Sequence, residues 1–236
     1  MTFTILGHCR RTGKIGFCQA TSTPAVGWRC TEVVPGRGVM TLQAHGDYRQ
    51  LQKSLALMKT GLSPVAILAA LKADDPHYEY RQIAILDLTG QVVVNTGNKA
   101  RSWAGEALGN GYVATGNVLV SEKVVAAMAV AFENNSTFEL EDRLVRAVEA
   151  GRDAGGQEEG QTSSALVVYE QHPFPIVNLR VDVAAEPIAE LRKIFDWFKP
   201  LIPYYVERTL DPTSVEPKRA FLQKKGLPVN PYLTSK

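Results

Sequence analysis

Apolar residues recur with two different periods along the chain, and the switch between them predicts the elements. Residues 2–7 and 14–21 are short runs rich in β-branched and aromatic side chains around the polar Arg10-Arg11-Thr12-Gly13, the pattern of a β-hairpin that begins with the chain itself. Residues 29–34 and 38–44 predict two more strands around Pro35-Gly36-Arg37-Gly38. The period then lengthens. Asp47 predicts the cap of a helix with Tyr48, Leu51, Leu55 and Met58 on one face, and Ser63-Pro64 the start of another with Val65, Leu68 and Leu71 inward. Residues 80–88 and 91–96 form a second hairpin pattern, whose continuous Ile and Val content predicts central strands buried on both faces. Residues 97–111 read as a long loop leading to a short strand that ends at Thr115-Gly116-Asn117. Two helices follow, one capped by Ser121 with Val124, Val125, Met128 and Phe132 inward, the other over residues 138–150 with Leu140, Leu144 and Val148 inward. Residues 164–169 and 176–182 give a third strand pair, and Pro187 opens an amphipathic helix.

Paired strands separated by paired helices do not make a right-handed βαβ repeat. They predict an α+β fold of antiparallel sheets stacked face to face with helices outside, over residues 1–199. Beyond residue 200, prolines at 200, 203, 212, 217, 228 and 231 and aromatics such as Tyr204, Tyr205, Phe221 and Tyr232 predict an irregular tail, residues 200–236, lying across a surface or a partner subunit.

Composition narrows the partners. The 236 residues are 45% hydrophobic, enough for one substantial core, and 26 Lys plus Arg against 24 Asp plus Glu, with no long basic run, argue against nucleic acid or a membrane surface as partner. Small ligands, or copies of the same chain in a homo-oligomer, are expected instead. No leader pattern and no long apolar window is present, so a soluble, cytoplasmic protein is expected. Cys9, Cys18 and Cys30 form neither a disulfide framework nor a CxxC, and His8 and His45 stand in no tight ligand motif. No metal or cofactor is expected.

Thr2 is the residue with distinctive chemistry. Removal of Met1 would leave a hydroxyl and a free α-amine on one residue, a nucleophile with its own base, because an α-amine titrates near pH ~8. Thr2-Phe3-Thr4-Ile5, Gly61-Leu62-Ser63-Pro64, Asp75-Pro76 with Tyr80-Arg81-Gln82, Thr96-Gly97, Trp103-Ala104-Gly105, Gly116-Asn117, Ala154-Gly155-Gly156 and Leu179-Arg180-Val181-Asp182 occur in the order and spacing of a known family. The chain resembles, over about residues 2–198, the family called domain of unknown function 1028, assigned to the N-terminal nucleophile hydrolase superfamily. That resemblance implies a four-layer αββα sandwich and hydrolysis of a small amide C–N bond by a terminal Thr. It departs from the family at Gln157, where an acidic residue often follows the glycines.

Carried onto these positions, Thr2 is the nucleophile and Gly116-Asn117 the oxyanion site, the glycine admitting substrate and the Asn amide donating; a lost donor of this kind costs about 3–4 kcal/mol. Asn117 could equally cap the turn that follows it. Ser22 could polarise the N-terminal amine or satisfy a strand end. Arg81 could hold a substrate carboxylate or neutralise Asp87 or Asp182. Gln43, Gln82, Thr96 and Gly97 could line the pocket, and Trp103 could wall it or sit in the core. The expected function is an amidohydrolase; the alternative is a non-catalytic binding or assembly protein on the same scaffold.

Overall fold

The computed structural model describes residues 1–230. Pro231 and Tyr232 of the predicted tail lie outside the described residues. The first hairpin forms as its pattern predicts: β1 (Thr2–His8) pairs antiparallel with β2 (Ile15–Thr21), placing Thr2 opposite Thr21. β3 (Thr31–Val34) and β4 (Gly38–Ala44) follow, then α1 (Tyr48–Lys59) and α2 (Pro64–Asp74), β5 (Arg81–Asp87) and β6 (Val92–Thr96). β7 (Trp103–Gly109) and β8 (Tyr112–Leu119) form a hairpin before α3 (Lys123–Asn134) and α4 (Leu140–Asp153). β9 (Ser163–Tyr169), β10 (Pro175–Val181) and α5 (Pro187–Phe198) complete the body.

Two antiparallel sheets result, one of order β10-β9-β2-β1-β8-β7 and one of order β3-β4-β5-β6. α3 and α4 cover the first, α1 and α2 the second, and β1 and β2 face β4 and β5 between them, an α+β sandwich of four layers. Strand alternation sorts side chains between layers. Met40, Leu42, Ile83 and Ile85 pack with Leu51, Leu55, Ile67 and Leu71 under the second helical layer. Leu6, Ile15, Phe17, Val39, Leu86 and Val113 meet between the sheets.

Several expectations are corrected. The stretch predicted as a loop contains β7, whose Ala and Gly content and half-exposed residues disguise an edge strand. β6 is also an edge strand, half-buried along its length, because no strand among the described residues pairs beyond it. Tyr48 and Val65 stay exposed, and Pro64 and Ile67 take the inward positions of α2. The predicted irregular tail holds α6 (Ile202–Leu210) and α7 (Lys218–Lys224). The chain divides at Arg192, inside α5. In the unit beyond it, the Tyr204 and Phe221 rings stand 4.8 Å apart and join α6 to α7.

Glycine decides one close approach in the central sheet. A Cβ on Gly16 of β2 would stand 2.2 Å from the Val167 carbonyl oxygen of β9, a backbone atom that cannot move aside. Gly16→Ala is expected to lower the unfolding free energy by about 2–3 kcal/mol in urea titrations. Gly13→Ala, with φ of +73° but open space around it, costs about 1 kcal/mol through backbone strain alone.

Candidate active site at the start of the first strand

The face between the sheets changes character along the strands. Toward one end it is Leu6, Phe17, Val39, Leu86 and Val113; toward the other the same faces present Thr2 and Thr4, Gln19 and Thr21, Thr41 and Gln43, Gln82, and Thr115 and Asn117. All of these polar residues are buried, so each must find partners inside.

They find one another. Gln82 Oε1 accepts from Gln43 Nε2 at 2.9 Å and Asn117 Nδ2 at 3.1 Å, while Gln82 Nε2 faces Gly116 O at 2.8 Å, Thr96 Oγ1 at 3.0 Å and Gly105 O at 3.2 Å. Thr4 Oγ1 donates to Gln43 Oε1 at 2.8 Å, and Thr31 Oγ1 reaches Gln19 Oε1 at 2.6 Å. With both faces of the Gln82 amide committed, its orientation is fixed, and with it those of Gln43 and Asn117. The two remaining donor directions of these amides converge on one atom: Gln43 Nε2 and Asn117 Nδ2 each donate to the Thr2 carbonyl at 3.3 Å.

The network therefore holds the backbone of Thr2. Its side chain is set by β2: Thr2 Oγ1 lies 3.2 Å from Thr21 Oγ1, and the Thr21 hydroxyl also donates to the Met1 carbonyl. Thr2, Thr21, Arg29, Gln43, Gly46 and Tyr48 line a cavity of about 300 Å³. A smaller one, about 60 Å³, is lined by Met1, Ala44, His45, Arg101, Asn117 and Val118. Met1 borders both. Burial pushes the Met1 amine below its ordinary value, and Arg101 and Arg29 act in the same direction. Cys30 and Glu159 oppose them, Cys30 to little effect because burial raises its own thiol and keeps it neutral.

Backbone strain gathers at the same place. Ala44 and Val118 both adopt left-handed φ values, 69° and 54°, and for a β-branched residue this is a conformation the surroundings must impose. Val118 is the extra residue where β8 slips against β7, with Trp103 opposite Leu119 but Ala104 opposite Asn117.

The comparisons with known proteins bear on this arrangement. Residues 2–191 match the model of a family of unknown function, DUF1028. The chain belongs to the DUF1028 family. A crystal structure of a DUF1028 protein from Silicibacter pomeroyi is 30% identical, aligned over 84% of this chain and 85% of that one, with a TM-score of 0.77. Anbu (ancestral beta-subunit) from Yersinia bercovieri is 10% identical over 87% of this chain and 97% of its own, TM-score 0.42. HslV from Trypanosoma brucei is 10% identical over 72% and 99%, TM-score 0.41. No curated protein matches the chain.

In this DUF1028 chain the expected site residues separate into three groups. Thr2, Asn117, Gln43 and Gln82 come together, but Asn117 spends both amide hydrogens on Thr2 O and Gln82, and what it leaves unpartnered is Oδ1. Ser22 lies one residue beyond Thr2's opposite number, its buried Oγ also without a partner. Thr96 bridges Gln82 to Glu106.

The remaining candidates have structural explanations. A Cβ on Gly97 would stand 2.2 Å from the Glu79 carbonyl oxygen, one on Gly116 2.6 Å from Leu119, and the Trp103 indole covers Gly105 of its own strand. Arg81 pairs with neither Asp87 nor Asp182: its Nε donates to Asp75 Oδ2 at 2.8 Å, Asp47 lies 3.7 Å away, and Nη1 donates to the His45 carbonyl. It fixes the turn that carries Gly46. Of the residues missed, Gln19, Thr21 and Thr41 had a signal, since Thr2-x-Thr4, Gln19-x-Thr21, Thr41-x-Gln43 and Thr115-x-Asn117 each repeat polarity at period two inside an apolar strand; Thr31 and Gly46 had none of this kind.

Burial works against ionisation of Asp75, but the Arg81 guanidinium and the His77 N–H outweigh it and hold the carboxyl below its ordinary 3.8. A depressed folded value stabilises fully above the unfolded one and is lost as pH falls through the folded one. Arg81→Met is therefore expected to cost about 3 kcal/mol at pH 7, with the gap to the unsubstituted protein closing below about pH 4, read from urea unfolding across pH.

Proposed function

We propose that the protein is an amidohydrolase in which Thr2, once freed of whatever precedes it, attacks the carbonyl of a small amide. The observation that carries this reading is the placement of Met1 between two cavities and directly before a hydroxyl already oriented by Thr21. Removing Met1 would join the two spaces at Thr2 and expose an α-amine where the burial and guanidiniums that lower the Met1 amine would act on it in the same sense. An amine held below its ordinary value is neutral in a larger share of molecules than a free terminus at the same pH, and the neutral form accepts the Thr2 hydroxyl proton.

Other groups fit the later steps. Asn117 Oδ1 on β8 and Ser22 Oγ just past the end of β2, both buried and without a partner among the described residues, supply acceptors for the N–H bonds of the freed amine. The Gly46 N–H, which makes no hydrogen bond among the described residues, lies ahead of α1 and lines the larger cavity, so it serves as an oxyanion donor in place of the committed Asn117 amide. Oγ attack gives a tetrahedral adduct. The amine passes its proton to the leaving nitrogen as the C–N bond breaks, and water then cleaves the Thr2 ester.

A β-lactone, which acylates a hydroxyl nucleophile and stays attached, tests the first step. Intact mass is expected to show one adduct on protein beginning at Thr2, none on Thr2→Ala and none on molecules retaining Met1. Adduct formation on Met1-bearing protein, or full retention of Met1 in protein from the native host, would remove the mechanism and favour a non-catalytic role. The rate of acylation should rise with pH through a single ionisation below the ordinary terminal-amine value of about 8.

A further inference from the structure

We propose that the amide taken by this site carries a carboxylate held by Arg29, beside a flat apolar group that lies against Trp28 and Tyr48; the inference rests on the reading of the Thr2 cavity as the substrate site. Carboxylate recognition needs a guanidinium whose charge is not already answered, and that of Arg81 is, by Asp75 and Asp47. Arg29 lines the larger cavity with Thr2 and forms no ion pair among the described residues. Its Nη2 donates to Thr23 Oγ1 at 2.6 Å and to the Pro24 carbonyl at 2.9 Å, its Nε is buried, and among the described residues neither Nε nor Nη1 has a hydrogen-bond partner. Two neutral acceptors hold the group in place without neutralising it, so its positive charge is directed at whatever enters the cavity. Arg101, on the smaller cavity beyond Met1, likewise has no ion-pair partner among the described residues and adds charge of the same sign.

The aromatic pair sets the rest of the ligand. Trp28 is 50% exposed and Tyr48 45% exposed, their ring centres 5.7 Å apart at 60°, and both border the cavity that holds Arg29. Tyr48 occupies the first turn of α1 on what its spacing marks as the inward face, yet the protein does not cover it. A planar ring entering beside it would recover burial that the fold leaves undone. The chemical class that presents an amide, a ring and a carboxylate within about 300 Å³ is an N-acylated amino acid with an aromatic acyl group.

The test compares phenylacetylglycine with phenylacetylglycinamide, which differ in the carboxylate alone, as ligands of full-length Thr2→Ala measured by calorimetry. The acid is expected to bind about tenfold more tightly than the amide at low salt, with the preference shrinking as salt rises. Arg29→Gln, which keeps donors for Thr23 and Pro24 without the charge, should abolish the preference at unchanged melting temperature, and Arg29→Lys should keep part of it. Equal binding of the two compounds, a preference that survives Arg29→Gln, or no binding of either would overturn the assignment. Because turnover plays no part in the calorimetry, a carboxylate preference in Thr2→Ala with no hydrolysis of either compound by protein beginning at Thr2 would reject the amidohydrolase reading and keep this one. Hydrolysis of both compounds by protein beginning at Thr2, with no such preference in Thr2→Ala, would do the reverse.

Discussion

Burying primary amides between two sheets obliges the protein to satisfy every one of them, and that obligation fixes the position of Thr2. Gln82 stands at the crossing, accepting from two amides and facing three oxygens, so that neither it nor its neighbours can turn over without opposing donor to donor. Its two donors, Gln43 on one sheet and Asn117 on the other, both end on the Thr2 carbonyl. An apolar interface would have packed as well, but it would have left the first residue of β1 free to fray, as chain ends do. Here the end of the chain is gripped from three strands, and only its side chain and what precedes it face open space.

The same arrangement explains why strain collects nearby. The left-handed backbone at Ala44 and Val118 lies where β4 ends and where β8 slips past β7, and each redirects the chain at the edge of the small cavity beside Asn117. Arg81 steadies one of these turns through the His45 carbonyl. A residue that reads in sequence as either a substrate clamp or a partner of Asp87 or Asp182 is, in the fold, paired with Asp75 and tied to the turn that carries Gly46.

Much of the scaffold was legible because strand and helix periods are strong where a face is buried. The first hairpin, both helix pairs and the stacking of antiparallel sheets follow from them. β7 was not legible: its Ala104, Gly105, Ala107 and Gly109 carry little β preference, and an edge strand needs no continuous apolar face. Within the site, Thr2 stands out by its position, and Ser22 by its place at the end of the second strand; the residue that pairs with Thr2 is Thr21, which follows from the register counted from the turn. Arg81's true partner, Asp75, lies in the segment before its own strand, a contact set by the turn at residues 76–80 that no periodicity reports. The polar half of the inter-sheet face was present in the sequence as threonines and glutamines two apart, a pattern that looks like solvent exposure until the layer on the other side is known.

β1 is an interior strand, flanked by β2 from the next few residues and by β8 from the middle of the chain. A chain emerging from the ribosome with this end foremost carries it uncovered until the segment forming β8 has been made, at about 5–20 residues per second. After that pairing, Thr21 holds the Met1 carbonyl and the amide cluster holds the carbonyl of Thr2. The bond before Thr2 is therefore free of these partners during some seconds of synthesis and hydrogen-bonded to them afterwards, so removal of Met1, where it occurs, meets least resistance before β8 is made.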